Sequence, residues 1–540
     1  MLDPRSLQIQ KIRENPRFDA VIVGGGINGI GTFRDLSLQG LRVLLIDRND
    51  FCSGCSAAPS RMIHGGLRYL ENGEFDLVKE SLFERDSLLK NAPHMVFPLP
   101  TVVPITTVLS GLLNSVLNFF GKRGIPKQRG IIPIKLGLMF YDFLTRNRRL
   151  LQKHEILGRK AALSLWPEFT DKLRFAAIYY DAWISHPERL GVELIVDAEE
   201  ENIQCIALNY ATISKIGDKI AITDSETGEL IQIDPRVIIN STGAWLDETA
   251  ASLGSNPKSQ MVSGTKGSHL IIDNSKLLSA LKGHMVYFEN YDGRVCIVFP
   301  YLGKVLAGAT DIRVKKASRV RCDDGERDYI LGSLRLIFPN IELSENNIIY
   351  SYSGIRPLPK DDVEFTGRIS REHFTLKLDG HIPQFCMVGG KWTTFRAFAE
   401  QTTDMVLVEL QLKRKQNTKN IPIGGGKNFD SSSSDRISSI YGSKRLSFDS
   451  SIPLVSGFDL SIGEVKYLIE VEKARRLSDI LQRRLPICIT GQINGGLIKA
   501  TAFAMGAFLN WDQQRIDNEI IEFSSDLVQY HGVQPSRLKV

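Results

Sequence analysis

The sequence feature that most constrains the fold is a strand–helix–strand pattern over residues 18–50, FDAVIVGGGINGIGTFRDLSLQGLRVLLIDRND. An apolar strand is predicted over 20–23, and an amphipathic helix follows it and ends before a second apolar strand at 42–46. Where the first strand turns into the helix, the pattern G-x-G-x-x-G places Gly24, Gly26 and Gly29. This order of elements predicts a βαβ unit that begins a parallel sheet.

A βαβ unit with these glycines is suited to hold a dinucleotide. One glycine makes the tight turn, one lets the backbone approach a pyrophosphate, and the third lets helix and strand pack closely. The phosphates then lie at the positive end of the helix. Asp47, 18 residues after Gly29, ends the second strand and is placed to bind a ribose hydroxyl. The alternative is a glycine-rich turn without a ligand, which leaves the clustered glycines, each costly in chain entropy, without a reason.

Length and composition indicate a large globular protein. With 540 residues the chain should form two or three domains, and 43% apolar with 24% charged residues permits a sizeable core. The net charge of +6 is modest; it does not require nucleic acid and would suit an anionic substrate or membrane surface. Seven scattered cysteines indicate a reducing compartment. Cys52 and Cys55 form a lone C-x-x-C, either a redox pair or small loop residues, and no metal site is expected.

Recurring patterns divide the chain. Strand–turn–helix patterns return at 237–254 and 385–412, so the nucleotide domain is expected to be discontinuous. We predict an α/β fold in the following parts: a Rossmann-like domain from 18–104, 160–254 and 350–412, a membrane-facing or variable insert at 105–159, an antiparallel-sheet substrate domain at 255–349, a linker or mobile loop with ten serines at 424–451, and a helical C-terminal domain at 452–540.

One segment of the insert has the pattern of a surface helix. Residues 105–120, ITTVLSGLLNSVLNFF, place leucines and valines on one helical face, and basic residues follow at 122–135. An apolar face with a basic flank is typical of a helix in a membrane interface. An amphipathic core helix followed by a basic loop is an equal alternative. We expect no secretory signal in residues 1–17 and no apolar run long enough to span a bilayer.

Seven motifs together resemble one enzyme family. They are IVGGGINGIG at 22–31, IHGGLRYLE at 63–71, STGAWLDE at 241–248, KGSHLII at 266–272, PYLGKVLAGATD at 300–311, YSGIRPL at 352–358 and GGKWTTFR at 389–396. With these motifs the chain resembles the FAD-dependent glycerol-3-phosphate dehydrogenases, within the D-amino-acid-oxidase-like flavoproteins.

The resemblance implies a reaction, a cofactor and a location. The expected reaction is oxidation of sn-glycerol 3-phosphate to dihydroxyacetone phosphate, with a hydride passing from C2 to FAD and electrons passing on to a quinone. The expected protein is cytoplasmic and peripherally associated with the inner face of the cell membrane; a homodimer is one assembly it could form. Alternatives are an oxidase that uses oxygen, an enzyme for another 2-hydroxy acid or amine, and a flavin-binding protein without turnover.

The resemblance also implies the site residues. Those expected to bind substrate are Arg68, Tyr69, Arg356, Lys391 and Thr393, and those expected to act in catalysis are His269, Lys391 and Arg356. Those expected to bind FAD are Gly24, Gly26, Gly29, Asp47, Ser60, His64, Gly65, Gly66, Thr242, Gly243, Gly354, Gly389, Gly390 and Thr393.

These residue types suit the expected chemistry. A phosphate dianion favours a guanidinium in bidentate geometry. His269 has an ordinary pKa near neutrality and suits the base, while Lys391 could stabilise an oxyanion or the reduced flavin. The two roles could be exchanged. A core position for His269 and a helix-capping role for Thr393 stay open as structural alternatives.

Two segments depart from the family pattern. Residues 55–62, CSAAPSRM, carry Cys55 and Pro59 at polar positions and Arg61 where lysine is common. After Trp183 the chain reads ISHPERL where the family often has acidic residues. These departures leave the substrate less defined than the cofactor.

Overall fold

The computed structural model describes residues 3–539 apart from 67–73, 108–130, 147–149, 256, 258, 361–371 and 433–434. The strands are β1 Arg17–Val23, β2 Val43–Ile46, β3 Met62–Ile63, β4 Val96–Ile105, β5 Glu155–Gly158, β6 Phe175–Ile184, β7 Ile206–Leu208, β8 Ala211–Ile216, β9 Lys219–Asp224, β10 Leu230–Asn240, β11 Val262–Ile272, β12 Met285–Glu289, β13 Val295–Tyr301, β14 Lys304–Gly308, β15 Ile312–Val314, β16 Ile348–Pro359, β17 Phe374–Leu378 and β18 Gln384–Val388.

The described α-helices alternate with these strands and then dominate the C-terminal part. They are α1 Pro4–Glu14, α2 Ile27–Leu38, α3 Phe75–Asn91, α4 Ile131–Thr145, α5 Arg159–Leu165, α6 Pro187–Glu201, α7 Leu246–Ser252, α8 Ser275–Ala280, α9 Asp324–Arg335, α10 Phe395–Glu409, α11 Arg436–Tyr441, α12 Ile462–Glu470, α13 Gly495–Leu509 and α14 Gln513–His531.

The first sheet carries the predicted βαβ unit at its centre. Its order is β17-β18-β10-β1-β2-β7; β1 runs parallel to β2 and β10, and β18 runs parallel to β10. Both faces of β1 are covered, since Ala20 and Ile22 pack with α2, α6 and α10 while Val21 packs on the side of α1. A strand buried on both faces reads as a continuous apolar run, which is why Ala20–Val23 is apolar throughout.

The second sheet is larger and mostly antiparallel. Its order is β15-β11-β14-β13-β12-β4-β6-β3, with β16 paired to β11 and β5 paired to β6. Helices α8 and α9 cover one face, and the C-terminal helices pack on the other through Leu468, Ile480 and Tyr350. The α/β fold with an antiparallel second sheet and a helical C-terminal region confirms the predicted fold class.

Strand pairing differs from the expected domain boundaries for four strands. Strands β3, β4, β6 and β16 lie in segments expected for the nucleotide domain, yet they pair within the second sheet. The chain crosses between the sheets several times, and the apolar pattern of a strand does not indicate which sheet it joins.

The serine-rich stretch is packed onto the fold instead of forming a mobile linker. It contains α11, and Tyr441 at the end of that helix is fully buried. At its start, the backbone N–H of Gly424 donates to Asp197 and that of Gly425 donates to Glu193. Buried backbone donors with carboxylate partners fix this segment against α6.

The predicted surface helix at 105–120 lies largely outside the described residues. Ile105 itself is the last residue of β4, paired with Phe175. The helix that follows, α4, buries Leu138 and Tyr141 and exposes an apolar face that includes Leu136, Met139 and Phe143 at 61%, 51% and 54%. Within the described part of the chain, every helix is too short or too polar to cross a membrane.

Candidate active site

The glycine turn between β1 and α2 forms a narrow cradle. Gly24 has φ +107°, and a Cβ atom there would lie 2.7 Å from the carbonyl oxygen of Ser241. A Cβ atom on Gly29 would overlap the carbonyl oxygen of Gly24. At Gly26, the N-cap of α2, the nearest atom to such a Cβ is the Ser56 hydroxyl at 3.3 Å. Two glycines therefore allow close packing, and the third lies at the positive end of α2, the end of a helix that attracts phosphate.

Asp47 lies beside this cradle at the carboxyl end of β2. Its carboxylate accepts hydrogen bonds from the backbone N–H groups of Gly25, at 2.7 Å, and Asn49, at 2.8 Å. Burial raises the pKa of Asp47 to about 6. The carboxylate is therefore fixed next to the glycine turn, where the spacing of the sequence placed a ribose-binding acid.

A loop that precedes β3 covers the start of α2. The Ser56 hydroxyl accepts from the backbone N–H of Ile27 at 3.0 Å, and Trp392 Nε1 donates to the carbonyl oxygen of Ser56 at 3.0 Å. On the other side, a Cβ atom on Gly354 would lie 2.7 Å from Ala58 Cβ. The loop is thus held between α2, the turn after β18 and strand β16. Ser56 and Trp392 were not predicted, although both lie within the quoted motif segments.

The predicted residues Ser60, His64, Gly65 and Gly66 continue the same loop. Ser60 and His64 are half-buried. The N–H of Gly65 donates to Asp181 at 2.9 Å, and Gly66 turns the chain with φ +81°. The predicted substrate residues Arg68 and Tyr69 lie outside the described residues.

Glycine turns from two further strand ends meet the cradle. After β10, the Thr242 hydroxyl donates to Asn240 at 2.7 Å, and Gly243 has φ +60°. After β18, Gly389 and Gly390 have φ +79° and +99°. The carboxyl ends of parallel strands meet at one edge of a sheet, so these predicted cofactor residues gather near α2.

The turn after β18 is joined directly to α2. Asn28 on α2 donates its side-chain N–H to the carbonyl oxygen of Gly389 at 3.1 Å. Thr393, also on this turn, is buried, and the N-cap of α10 is Thr394. The capping alternative for Thr393 is therefore wrong.

His269 lies on β11 in the second sheet, opposite Tyr352 on β16. Its ring stacks on the Tyr352 ring at 5.0 Å between centroids. His269 is 1% exposed, and neither ring nitrogen has a hydrogen-bond partner among the described residues. Burial, aided by the charges of Arg356 and Arg61, lowers the pKa of His269 to about 3. The imidazole is therefore neutral, and taking up a proton at this position costs free energy.

Arg356 lies on β16, four residues beyond Tyr352 on the same face. Its guanidinium forms an ion pair with Asp311 at 3.1 Å and donates to the carbonyl oxygen of Thr310. The side chain occupies the space above Gly267, where a Cβ atom would overlap it. The structure thus brings His269 and Arg356 together on paired strands.

Lys391 follows the Gly389–Gly390 turn on the first sheet, apart from the strands that carry His269. It interacts electrostatically with Glu80 and His373. Burial raises the pKa of Glu80 to about 7, against the charge of Lys391, and burial lowers the pKa of His373 to about 4. Glu80 and His373 were not predicted, since a glutamate in a polar helical pattern gives no signal of a partner 311 positions away.

The class of protein that this fold and site define is also found among known protein families. Residues 19–405 match the DAO family, described as FAD dependent oxidoreductase. The glycine cradle at the start of α2 and the Asp47 carboxylate fit a dinucleotide, as that class requires. The chain is thus an FAD-dependent oxidoreductase.

Similar proteins narrow the class to a family. The chain is 30% identical to a glycerol-3-phosphate dehydrogenase of Synechocystis sp., with 96% of this chain and 97% of the relative covered. It is 29% identical to a D-erythritol 1-phosphate dehydrogenase of Brucella abortus, with 86% and 93% covered. The structure of a Bacillus halodurans glycerol-3-phosphate dehydrogenase complexed with FAD shares the fold, with a TM-score of 0.74, 23% identity and 99% of each chain covered. The chain belongs to the FAD-dependent glycerol-3-phosphate dehydrogenase family.

Proposed function

We propose that the chain oxidises sn-glycerol 3-phosphate at C2 to dihydroxyacetone phosphate and that its electrons pass to a quinone. The observation that carries this proposal is the buried imidazole of His269, without a hydrogen-bond partner among the described residues, on a strand paired with the one that carries Arg356. A base and a guanidinium on one sheet face suit a substrate that carries an alcohol and a phosphate.

Each side chain has a defined task in this proposal. Arg356, together with Arg68 and Tyr69, binds the phosphate, and Asp311 orients the guanidinium of Arg356. His269 accepts the proton of the C2 hydroxyl at a ring nitrogen. Lys391 and Thr393, from the turn beside α2, stabilise the negative charge that develops as the proton leaves. FAD, when bound, supplies the hydride acceptor.

A second substrate is supported by one relative. The similarity to the D-erythritol 1-phosphate dehydrogenase extends over 86% of this chain. Both substrates are phosphorylated polyols, so the same guanidinium and base would serve either one. The pocket must then distinguish the two substrates by the number of carbon atoms in the polyol.

Anaerobic reduction of the bound flavin tests the substrate. We expect sn-glycerol 3-phosphate to bleach the flavin absorbance and a quinone to restore it, while glycerol, which lacks the phosphate, should leave the spectrum unchanged. D-erythritol 1-phosphate is added in parallel. Absence of bleaching at millimolar sn-glycerol 3-phosphate would refute the proposal, and restoration by air alone would replace the quinone with oxygen.

A matched pair of arginine variants tests phosphate binding. Arg356→Met should raise KM roughly a hundredfold or more, because a buried charge-assisted pair to phosphate is lost. Arg294→Met, in the hairpin between β12 and β13 with a side chain 32% exposed, removes an arginine elsewhere on the same sheet and serves as the control. An unchanged KM in the first variant would remove Arg356 from the phosphate site.

We also propose that α4 attaches the protein to a membrane surface. Five of its exposed side chains are large and apolar and are spaced at one helical face: Ile132, Leu136, Met139, Phe140 and Phe143. A contiguous apolar face on a surface helix fits a lipid interface, where electrons also reach a quinone.

Vesicle flotation tests this attachment. Leu136→Asp combined with Phe143→Asp should release the protein from vesicles of anionic lipid. Ile521→Asp is the control, because Ile521 is 65% exposed on α14 and lies outside α4. Equal flotation of all three proteins would contradict the role of α4.

A further inference from the structure

Arg61 and Glu188 form a buried ion pair that has no assigned role in the reaction. The Arg61 guanidinium reaches both Glu188 carboxylate oxygens, at 2.8 Å and 3.3 Å, and the two side chains are 5% and 7% exposed. Arg61 ends the loop that covers α2, while Glu188 lies in the first turn of α6. A buried pair of this kind is weak evidence for stability, so its position is the more informative property.

The pair is connected to His269 through one aromatic ring. The Arg61 guanidinium carbon lies 5.6 Å from the centroid of the Tyr352 ring, and the centroid of the His269 imidazole lies 5.0 Å from the same point. The guanidinium and the imidazole are therefore about 11 Å apart at most, a range over which an uncompensated charge still acts in a protein interior.

Each of the two arginines whose charge reaches His269 has a carboxylate partner. Arg356 carries one positive charge and is paired with Asp311. Arg61 carries the other, and Glu188 is its carboxylate partner. Tyr301 and Tyr352 also lie against Arg61, and burial raises their pKa values, so both stay neutral. His186 is within electrostatic reach of Arg61 as well, and burial lowers its pKa to about 3, so it is neutral too.

We propose that Glu188 is a positioning residue for the His269 base. By partly compensating the charge of Arg61 next to Tyr352, it makes protonation of the imidazole less costly, and it limits how strongly the pocket attracts an anion. This inference rests on the proposed role of His269.

The electrostatic role predicts an unusual combination of effects. In Glu188→Gln the guanidinium of Arg61 is uncompensated, so the imidazolium is harder to form and kcat falls. The same added charge attracts the phosphate, so KM falls as well. A purely structural role would loosen the pocket and raise KM while lowering kcat.

The experiment compares three variants of the holoenzyme: Glu188→Gln, Arg61→Met and the double variant. Steady-state kinetics with sn-glycerol 3-phosphate gives kcat and KM. Flavin absorbance titrated with glycerol 2-phosphate, an anion that has no free C2 hydroxyl, gives a Kd without turnover. We expect Glu188→Gln to lower kcat and the Kd by roughly threefold to tenfold each. The double variant, which has neither charge, should return both values toward wild type, and Arg61→Met should raise the Kd.

Three results would overturn the inference: a raised Kd in Glu188→Gln, a double variant as impaired as the single one, or equal Kd values in Arg61→Met and the double variant. The last comparison decides the matter if Glu188→Gln does not fold. If wild type fails to oxidise sn-glycerol 3-phosphate while the Kd values shift as expected, the proposed function is wrong and the charge compensation stands.

Discussion

A methyl group added to Gly354 should weaken FAD binding, although Gly354 belongs to the second sheet. In Gly354→Ala the new Cβ atom would lie 2.7 Å from Ala58 Cβ. Since carbon atoms in contact are about 3.5–4.0 Å apart, the loop around Ala58 must move by about 1 Å. That movement separates the Ser56 hydroxyl from the Ile27 N–H at the start of α2.

The expected cost follows from these contacts. Overpacking of a well-packed contact costs about 1–3 kcal/mol, and a lost hydrogen bond adds about 1 kcal/mol. Part of this cost is avoided when FAD is absent and the loop relaxes, so about 1.4–2.8 kcal/mol should appear in binding. The Kd for FAD should therefore rise roughly tenfold to a hundredfold.

A double variant isolates the collision. In Gly354→Ala with Ala58→Gly the colliding methyl is removed, and the next atom, Cys55 Cα, lies at an ordinary 3.5 Å. Reconstitution of the apoprotein, followed by quenching of FAD fluorescence, should show recovery to within about threefold of wild type. Ala58→Gly alone is the control. Wild-type affinity in Gly354→Ala, or no recovery in the double variant, would refute the reasoning.

Three further predictions concern the buried carboxyl groups of Glu80 and Asp50 and the hydroxyl of Ser56. Burial raises the pKa of Glu80 from 4.5 to about 7, so the fold loses stability as the pH rises from about 4.5 to 7 and the cost is constant above that range. Glu80→Gln should therefore flatten the dependence of Tm on pH between about pH 4.5 and 7, and an unchanged profile would contradict this. Burial would raise the pKa of Asp50, but Arg484 and a neighbouring arginine hold this pKa at about 2, so the ion pair stabilises the fold above about pH 4. Asp50→Asn should lower the free energy of unfolding by about 3–5 kcal/mol at pH 7, measured by denaturant unfolding. An unchanged free energy of unfolding would show that the pair does not stabilise the fold. Ser56→Ala should raise the Kd for FAD severalfold in the fluorescence assay, because the N–H of Ile27 loses its hydrogen-bond acceptor. An unchanged Kd would show that the Ser56 hydroxyl does not contribute to FAD binding.

The parts of the site that the sequence predicted are those fixed by local geometry. Gly24, Gly29 and Asp47 are determined by a turn and a strand end within one βαβ unit, so their spacing carries the information. Gly389 and Gly390 likewise follow a strand, and their positive φ angles require glycine.

The parts that the sequence did not predict depend on contacts between distant segments. Ser56 and Trp392 meet only when two separate loops close over α2, and Arg61 meets Glu188 only across the two sheets. The serine-rich stretch was misjudged because its composition outweighed Tyr441, one buried aromatic residue that fixes the segment. Local sequence patterns predict single helices and strands, whereas contacts between distant residues can be known only from the folded structure.

The order of strands in the first sheet also sets the order in which the protein can be made. Strand β1 comes from residues 17–23, but its neighbour β10 comes from 230–240 and the next strand, β18, from 384–388. A chain leaving the ribosome therefore carries its glycine cradle long before the last wall of that cradle has been synthesised. Until β18 emerges, an unpaired parallel edge and an open cofactor cradle are exposed. FAD capture is therefore a late event in biosynthesis, and it stabilises only chains in which these distant strands have joined.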